Sequence, residues 1–442
     1  MTKLLIDCTE TCFSGGNTGI HRVVRSIAAR RELIQSVTGM NVLLVCSAKN
    51  GFFVIDNLDN KEQINKKSKL ILDLARRIYD NISFLSIDHG NSCVSGSGKM
   101  RRVRVFARSF FRRVARNLLY HFQVRNLPRD DIISVNIGDI IFLPDAFWGQ
   151  EDVIKSALSA KKKGALIIPL IHDLIPVNNV EYCDPSFAKL FVRLLPLLVR
   201  NSSAIVTISK SVKTDIMDWI DRNLSEKKIQ IEHFYSGADI ISPNQEEGNI
   251  IRPEITQLVK ERYIYLMVGS LEPRKGHSDV LDAFEVLWEN KQKSYILCIV
   301  GSTGWRSEVL LKRINSHPEK NKRLFYYHNL NDSEVDFLYN NARALIFASY
   351  AEGFGLPLVE AGSHRLPVIA RDIKIFREIA NDWPLYFTSK KELVNRIEWV
   401  GSELFSRQSV ALDACCFVKS WDDSVIDLSR IILNLFTECV RD

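Results

Sequence analysis

ALIFASYAEGFGLPLVEAG, residues 344–362, decides the fold class of this 442-residue chain. ALIFAS (344–349) is a short, almost wholly apolar run, the pattern of a strand buried on both faces of a parallel sheet. YAEGFG follows as a loop at its carboxyl end. Pro357 suits the first turn of a helix, where its missing N–H leaves nothing unpaired. Strand, Gly353- and Gly355-containing loop and helix thus make one βα unit, with the loop where open α/β sheets bind ligands. The backbone N–H groups of Phe354, Gly355 and Leu356 point out of that helix N-terminus, which favours an anion. Glu352 lies in the loop. Glu360, eight positions later and one turn into the helix, can face the same cleft. A carboxylate accepts two hydroxyl donors at once, as the vicinal diols of sugars and riboses offer. Spacing alone is equally compatible with Glu360 as a solvated helix residue and Glu352 as a partner of the helix dipole.

The same alternation runs outward in both directions. Apolar runs at 3–9, 41–47, 139–144, 165–171, 204–209 and 229–235 read as one set of strands. Those at 263–269, 295–301, 323–328, 344–349 and 366–370 read as a second. Helical stretches separate them, so the fold class is α/β, with two Rossmann-like, doubly wound parallel sheets facing across a cleft. The expected division is a first domain over 1–240, a linker over 241–262, a second domain over 263–418 and a terminal amphipathic helix over 419–442. Trp421 in that helix reads as packing. Residues 50–98 are polar and irregular and carry no assignment.

Composition bounds the class. Hydrophobic residues make up 46% and charged residues 25%, as in a soluble globular protein. Asp7 interrupts the only apolar stretch at the start, which argues for a first strand over a leader sequence. Nine cysteines, with no Cys-x-x-Cys, read as reduced, mostly buried thiols in a cytoplasmic protein. The net charge of +7 is local: residues 99–129 hold one Lys and nine Arg without Asp or Glu, and the rest sums to −3. Within 99–126, Phe106, Phe110, Val114, Leu118 and Phe122 recur at helical spacing. A basic amphipathic helix of this kind suits an anionic membrane surface, at the inner face of the plasma membrane. An ordinary helix packed on the first domain, with solvated arginines, has the same pattern. Nucleic-acid binding is the least favoured reading and is not adopted.

Three further loops carry chemistry. EPRKG puts Arg274 and Lys275 after the second set's first strand, where fixed cations stabilise charge developing on a leaving diphosphate. A solvated Arg-Lys turn is the plain alternative. SGGNTGIHR (14–22) ends the first strand's loop, where Thr18 and Gly19 open a helix and let backbone approach a diphosphate closely. His21 and Arg22 carry no assignment. IHDLIP places His172 at the carboxyl end of a buried strand. Asp173 reads as a brace for its loop. Position alone suggests Gly301 and the loop around Asn329 and Leu330 for base recognition.

EGFGLPLVEA resembles the E-x(7)-E signature of retaining glycosyltransferases of family four, which have the GT-B fold. VGSLEPRKGHSDVLDAF (268–284), VGSTGW (300–305), LNDSEVDFLYNNARALIFASYAEGFG (330–355) and RDIKIFREIA (371–380) follow that family's order. In the first half, TGIHRVVRSI, IHDLIP, TISKSVKTDI and YSGAD do the same. The resemblance covers nearly the whole chain except residues 50–130. It is closest to bacterial enzymes that add mannose or a related sugar during surface-polysaccharide assembly. It implies a nucleoside-diphosphate sugar donor, with GDP-mannose the first guess, and a glycan or lipid-linked acceptor. It implies that Glu360 holds the ribose hydroxyls and Glu352 the sugar hydroxyls. Arg274 and Lys275 would stabilise the leaving diphosphate, and His172 would border the transferred sugar. The chain departs from the family at Ser270, where many members carry arginine, so Arg274 is expected to take that role. With no Asp-x-Asp motif after a strand, no metal and no cofactor are expected. Rival readings are another GT-B enzyme (a sugar-nucleotide epimerase or a phosphorylase) and a binding-only partner in an assembly complex.

Overall fold

The computed structural model describes residues 1–14, 18–48, 51–56, 58, 132–148, 151–239, 251–260, 263–289, 295–405 and 418–441. The basic stretch 99–126 lies outside the described residues, as do 15–17 of the first glycine-rich loop. Two sheets organise the rest. The first comprises β1 (Lys3–Asp7), β2 (Asn41–Ala48), β3 (Gly51–Val54), β4 (Ile140–Leu143), β5 (Leu166–Ile171), β6 (Ala204–Thr207) and β7 (Gln230–His233), in the order β3-β2-β1-β4-β5-β6-β7. The second comprises β8 (Tyr263–Val268), β9 (Tyr295–Val300), β10 (Leu324–Tyr327), β11 (Ala344–Phe347), β12 (Val368–Arg371) and β13 (Leu385–Phe387), in the order β10-β9-β8-β11-β12-β13. Leu4, Leu5 and Ile6 of β1 and Ile296, Leu297 and Cys298 of β9 are fully buried, as central parallel strands require.

Two strands were not expected. β3 pairs antiparallel with β2, with Val45 opposite Val54 and Ala48 opposite Gly51, so the first sheet is mixed. Its apolar run, Phe52 to Ile55, is short and opens a stretch that is otherwise polar, and of the strand's four residues only Phe52 is buried. β13 is three residues long, directly after Pro384, and pairs with β12 at the sheet edge. The run read as a strand to Thr9 ends at Asp7, because Thr9 opens the helix Thr9–Ser14. Within the span read as linker, Pro253–Val259 is a helix that buries Ile255 and Leu258.

Strand order reverses between β1 and β4 in one sheet and between β8 and β11 in the other. The helices that follow these strands leave in opposite directions, which opens a crevice at the carboxyl ends. The two crevices meet. A Cβ on Gly353, in the loop after β11, would lie 1.9 Å from the His172 carbonyl oxygen after β5, so only glycine fits there. Ser209 Oγ donates to Gly353 O at 2.8 Å, and the Tyr235 and Phe354 rings sit 6.1 Å apart. The Glu378 carboxylate accepts from the N–H groups of Lys210 and Ser211, each at 2.7 Å, at the N-terminus of the helix Lys210–Asn223.

The last helix, Trp421–Arg441, packs along the helix Arg31–Thr38 of the first half. The Asp239 carboxylate accepts from its Trp421 N–H at 3.1 Å, Arg30 Nε donates to Asp422 at 2.5 Å, and Ser424 Oγ donates to Tyr235 O at 2.6 Å. Among the described residues, six cysteines are free thiols, four of them buried, and no helix is long and apolar enough to cross a membrane.

Candidate functional site

A charge cluster at the meeting of the two crevices lies between β8 and β11. After β8 the backbone passes through Gly269 and Ser270, makes one 3-10 turn over Pro273–Lys275, and reverses at Gly276 with φ of 70°. A Cβ on Gly276 would lie 2.3 Å from the Ala348 carbonyl oxygen, so this turn is pressed against the end of β11. Tyr350 N–H donates to Arg274 O at 2.8 Å and Arg274 Nη1 donates to Ala351 O at 2.6 Å. The two loops are thereby laced together, and both cations reach Glu352. Lys275 Nζ is 2.6 Å from Glu352 Oε1 and Arg274 Nη1 is 2.8 Å from Oε2. Arg274 also pairs with Glu272, which accepts from Ser270 Oγ at 2.8 Å.

Burial opposes charge on all three groups, and the pairing decides the outcome. Burial alone would push the Glu352 carboxyl up, but Arg274 and Lys275 outweigh it and bring it down to about 2. Burial draws Lys275 below its ordinary value, with Glu352 opposing. Burial also works against the Arg274 cation, yet Glu352, Glu272 and Asp173 raise it. His277, which opens the next helix, is buried and held to about 4 by burial and then by Lys275. The result is a largely buried carboxylate fixed as an anion beside two cations.

Glu360 is held differently. The helix Leu356–Ser363 starts at Gly355, whose φ of 109° only glycine adopts freely, with Pro357 in its first turn. Glu360 is 2% exposed; its Oε1 lies 2.5 Å from Arg22 Nη1 and its Oε2 accepts from Tyr339 OH at 2.8 Å. It is neither a solvated helix residue nor open to the cleft in this conformation. Glu352 and Glu360 thus occupy separate charge clusters.

The remaining expected residues sort by their contacts. His172 is 5% exposed, and its Nε2 donates to Pro144 O at 2.7 Å, leaving Nδ1 as the acceptor nitrogen. Burial holds its imidazole neutral, at about 4. Asp173 Oδ1 accepts from Ile175 N–H, the expected brace, and burial raises its carboxyl. Thr18 forms a capping box with His21 at the start of Gly19–Ala28, so its side chain is engaged by the helix itself. A Cβ on Gly19 would be 3.5 Å from Leu356 Cδ1, which sets the two helix N-termini side by side. Gly301, φ 158°, presses on Gly269: a Cβ there would lie 1.9 Å from Gly269 O. Phe354 is buried and Leu356 half-buried. Asn329 O accepts from Arg252 at 3.4 Å, and Leu330 packs on the core.

Sequence reasoning missed two groups. Arg22 had no assignment, yet it neutralises Glu360 from the opposite half of the molecule. Asp7 and Asp145 end or follow β1 and β4, at the first sheet's own order reversal, and both are buried. Asp7 accepts from Thr9 Oγ1 at 2.5 Å and Ser47 Oγ at 3.2 Å; Asp145 accepts from Thr11 N–H at 2.6 Å and Ala146 N–H at 2.8 Å. Burial, then the neighbouring Asp145, raises Asp7 to about 7; burial raises Asp145 to about 6. Pro144, which takes the His172 proton donor, adjoins this pair. The available signal was an acidic residue closing each of the two strands that flank a reversal.

Residues 251–407 match the family model described as Glycosyl transferases group 1. The chain is 37% identical over 240 residues to the serotype-specific mannosyltransferase WbdA of Escherichia coli, covering 52% of this chain and 29% of that one. It is 28% identical to the O-antigen chain mannosyltransferase RfbU of Salmonella typhimurium, covering 50% of this chain and 56% of that one. The chain thus spans under a third of the WbdA relatives' length. Among solved structures, sucrose-phosphate synthase from Thermosynechococcus elongatus superposes with a TM-score of 0.59 at 13% identity, covering 99% of this chain and all of that one. Anabaena Alr3699/HepE in complex with UDP and glucose gives 0.57 at 13% identity, covering 99% and 100%. The fold is GT-B, as expected.

Proposed function

With residues 251–407 forming a group 1 glycosyl transferase domain, we propose that this chain moves a sugar, mannose first among candidates, from a nucleoside-diphosphate sugar to a glycan or lipid-linked acceptor in bacterial surface-polysaccharide synthesis. The observation that carries this reading is the largely buried Arg274–Lys275–Glu352 cluster at the β8/β11 reversal. The mannosyltransferase relatives support the sugar, and GDP-mannose is the proposed donor. Glu352 orients the transferred sugar's hydroxyls, and Glu360 takes the ribose. Arg274 and Lys275 receive the leaving diphosphate.

Transfer proceeds with retention. The bond from the anomeric carbon to the diphosphate oxygen breaks and its electron pair stays on that oxygen. The acceptor oxygen bonds to the same face of the carbon, and its proton passes to the departing phosphate. His172, neutral and with Nδ1 free to accept, borders the sugar from the first sheet. Two fixed cations stabilise the leaving charge, so the reaction needs no divalent ion. Residues 99–126 would bring the cleft to an anionic membrane surface at the inner face of the plasma membrane, where a lipid-linked acceptor lies.

The test is turnover of GDP-mannose and other sugar nucleotides with oligosaccharide acceptors in excess EDTA, with the product read by proton NMR. An α-linked product from an α-linked donor is expected. An inverted linkage overturns retention, and loss of activity restored by magnesium or manganese overturns metal independence. Product formed without any acceptor glycan would favour an epimerase.

A further inference from the structure

Arg22 and Glu360 come from opposite sheets. Arg22 sits on the second turn of Gly19–Ala28 in the first half, and Glu360 on the second turn of Leu356–Ser363 in the other. The first turns of these helices touch, Gly19 against Leu356, and one turn further along each the guanidinium meets the carboxylate at 2.5 Å. Tyr339, itself fully buried, takes the other carboxylate oxygen. Glu360 is thus 2% exposed, with each oxygen engaged. No diol can reach it unless Arg22 withdraws.

We propose that the Arg22–Glu360 pair is a cross-cleft latch that masks the ribose-binding carboxylate, and that the ribose of an incoming nucleotide competes with Arg22 for Glu360. The inference rests on the reading above that Glu360 takes the ribose hydroxyls. Its energetic logic is that of a binding-competent state present only as a fraction. For a nucleotide that must engage Glu360, the measured dissociation constant equals the intrinsic one divided by the unlatched fraction, whereas a nucleotide without ribose hydroxyls is unaffected. A buried carboxylate that loses its cation is costly, so the unlatched fraction is small until hydroxyl donors replace Arg22. The Arg22 side chain is 27% exposed against 2% for Glu360, so the arginine is the partner with a path out.

The test is calorimetric titration of the full chain with GDP and with 2′,3′-dideoxy-GDP, for wild type and for Arg22→Gln, which keeps a hydrogen-bond donor near Glu360. UDP and its dideoxy analogue replace them where the wild type binds UDP instead. In Arg22→Gln, the ribonucleotide should bind at least about fivefold more tightly, and the dideoxynucleotide within about twofold of wild type. Arg22→Met, which keeps the aliphatic stem, serves where Arg22→Gln melts below the assay temperature, and should shift affinity in the same direction. Weaker ribonucleotide binding in the variants would make Arg22 itself a nucleotide contact and overturn the latch. An equal gain for both nucleotides would also overturn it, since closure would not act through the ribose. If the wild type does not discriminate ribose from dideoxyribose, the assignment of Glu360 fails and the latch with it. If it does discriminate but Arg22→Gln changes nothing, the latch alone fails.

Discussion

Glu352→Gln changes one atom and removes the anion that both Arg274 and Lys275 contact. The carboxyl's ordinary value is 4.5, and the folded protein holds it at about 2. At about 1.4 kcal/mol per unit, that difference corresponds to roughly 3 kcal/mol of stability at neutral pH. The side chain is 10% exposed, so solvent screens it little. Because the folded value is depressed, the contribution is full above about 4.5 and disappears as pH falls toward 2. The variant should therefore be destabilised by about 3 kcal/mol at pH 7 and only by about 1 kcal/mol at pH 3, relative to wild type at the same pH. For a unit of this size the neutral-pH penalty is a drop of roughly 6–12 °C in the midpoint. Thermal melts of both proteins at pH 7, 5, 4 and 3 measure it. A penalty equal at pH 7 and pH 3 would mean that the amide fits badly, and it would refute the charge argument. No penalty at pH 7 would mean that the two cations do not depend on Glu352. The substitution also leaves burial of Lys275 opposed by less negative charge, so Lys275 should lose its proton more readily in the variant.

Lys275→Ala should lower kcat by roughly 10²-fold or more, the scale of losing one preorganised electrostatic donor, and a change confined to KM in steady-state kinetics would reject its role on the leaving group. His172 should stay neutral on lowering pH until about 4, so its imidazole NMR signals should not titrate between pH 6 and 7.5; a shift there would contradict its burial against Pro144. Asp7→Asn should raise the melting midpoint, and more at pH 8 than at pH 5. A raised carboxyl lowers stability progressively as pH climbs from its ordinary value of 3.8 through about 7, and the amide removes that loss while still accepting from Thr9. An equal gain at both pH values would refute it.

The chain's local chemistry was enough to establish two stacks of βα units, because a strand buried on both faces must be largely apolar, and the runs at 4–6, 140–143 and 295–300 each lie within a buried parallel strand. It was also enough for the Gly355–Pro357 helix start and for the cations of the EPRKG turn, which are set by backbone conformation and short-range spacing. β3 and β13 escaped because they are edge strands of four and three residues, too short for their apolar runs to stand out from the flanking sequence. Tertiary structure alone decided which charges meet. Glu352 and Glu360 share a motif, yet one is claimed by Arg274 and Lys275 and the other by Arg22 and Tyr339. Asp7 and Asp145, far apart in the chain, become neighbours only because β1 pairs with β4. The physical reason is range. Backbone propensity and burial pattern act over a few residues, whereas a buried charge is fixed by whichever opposite charge the packed sheets bring within hydrogen-bond distance, and sequence separation plays no part in that choice.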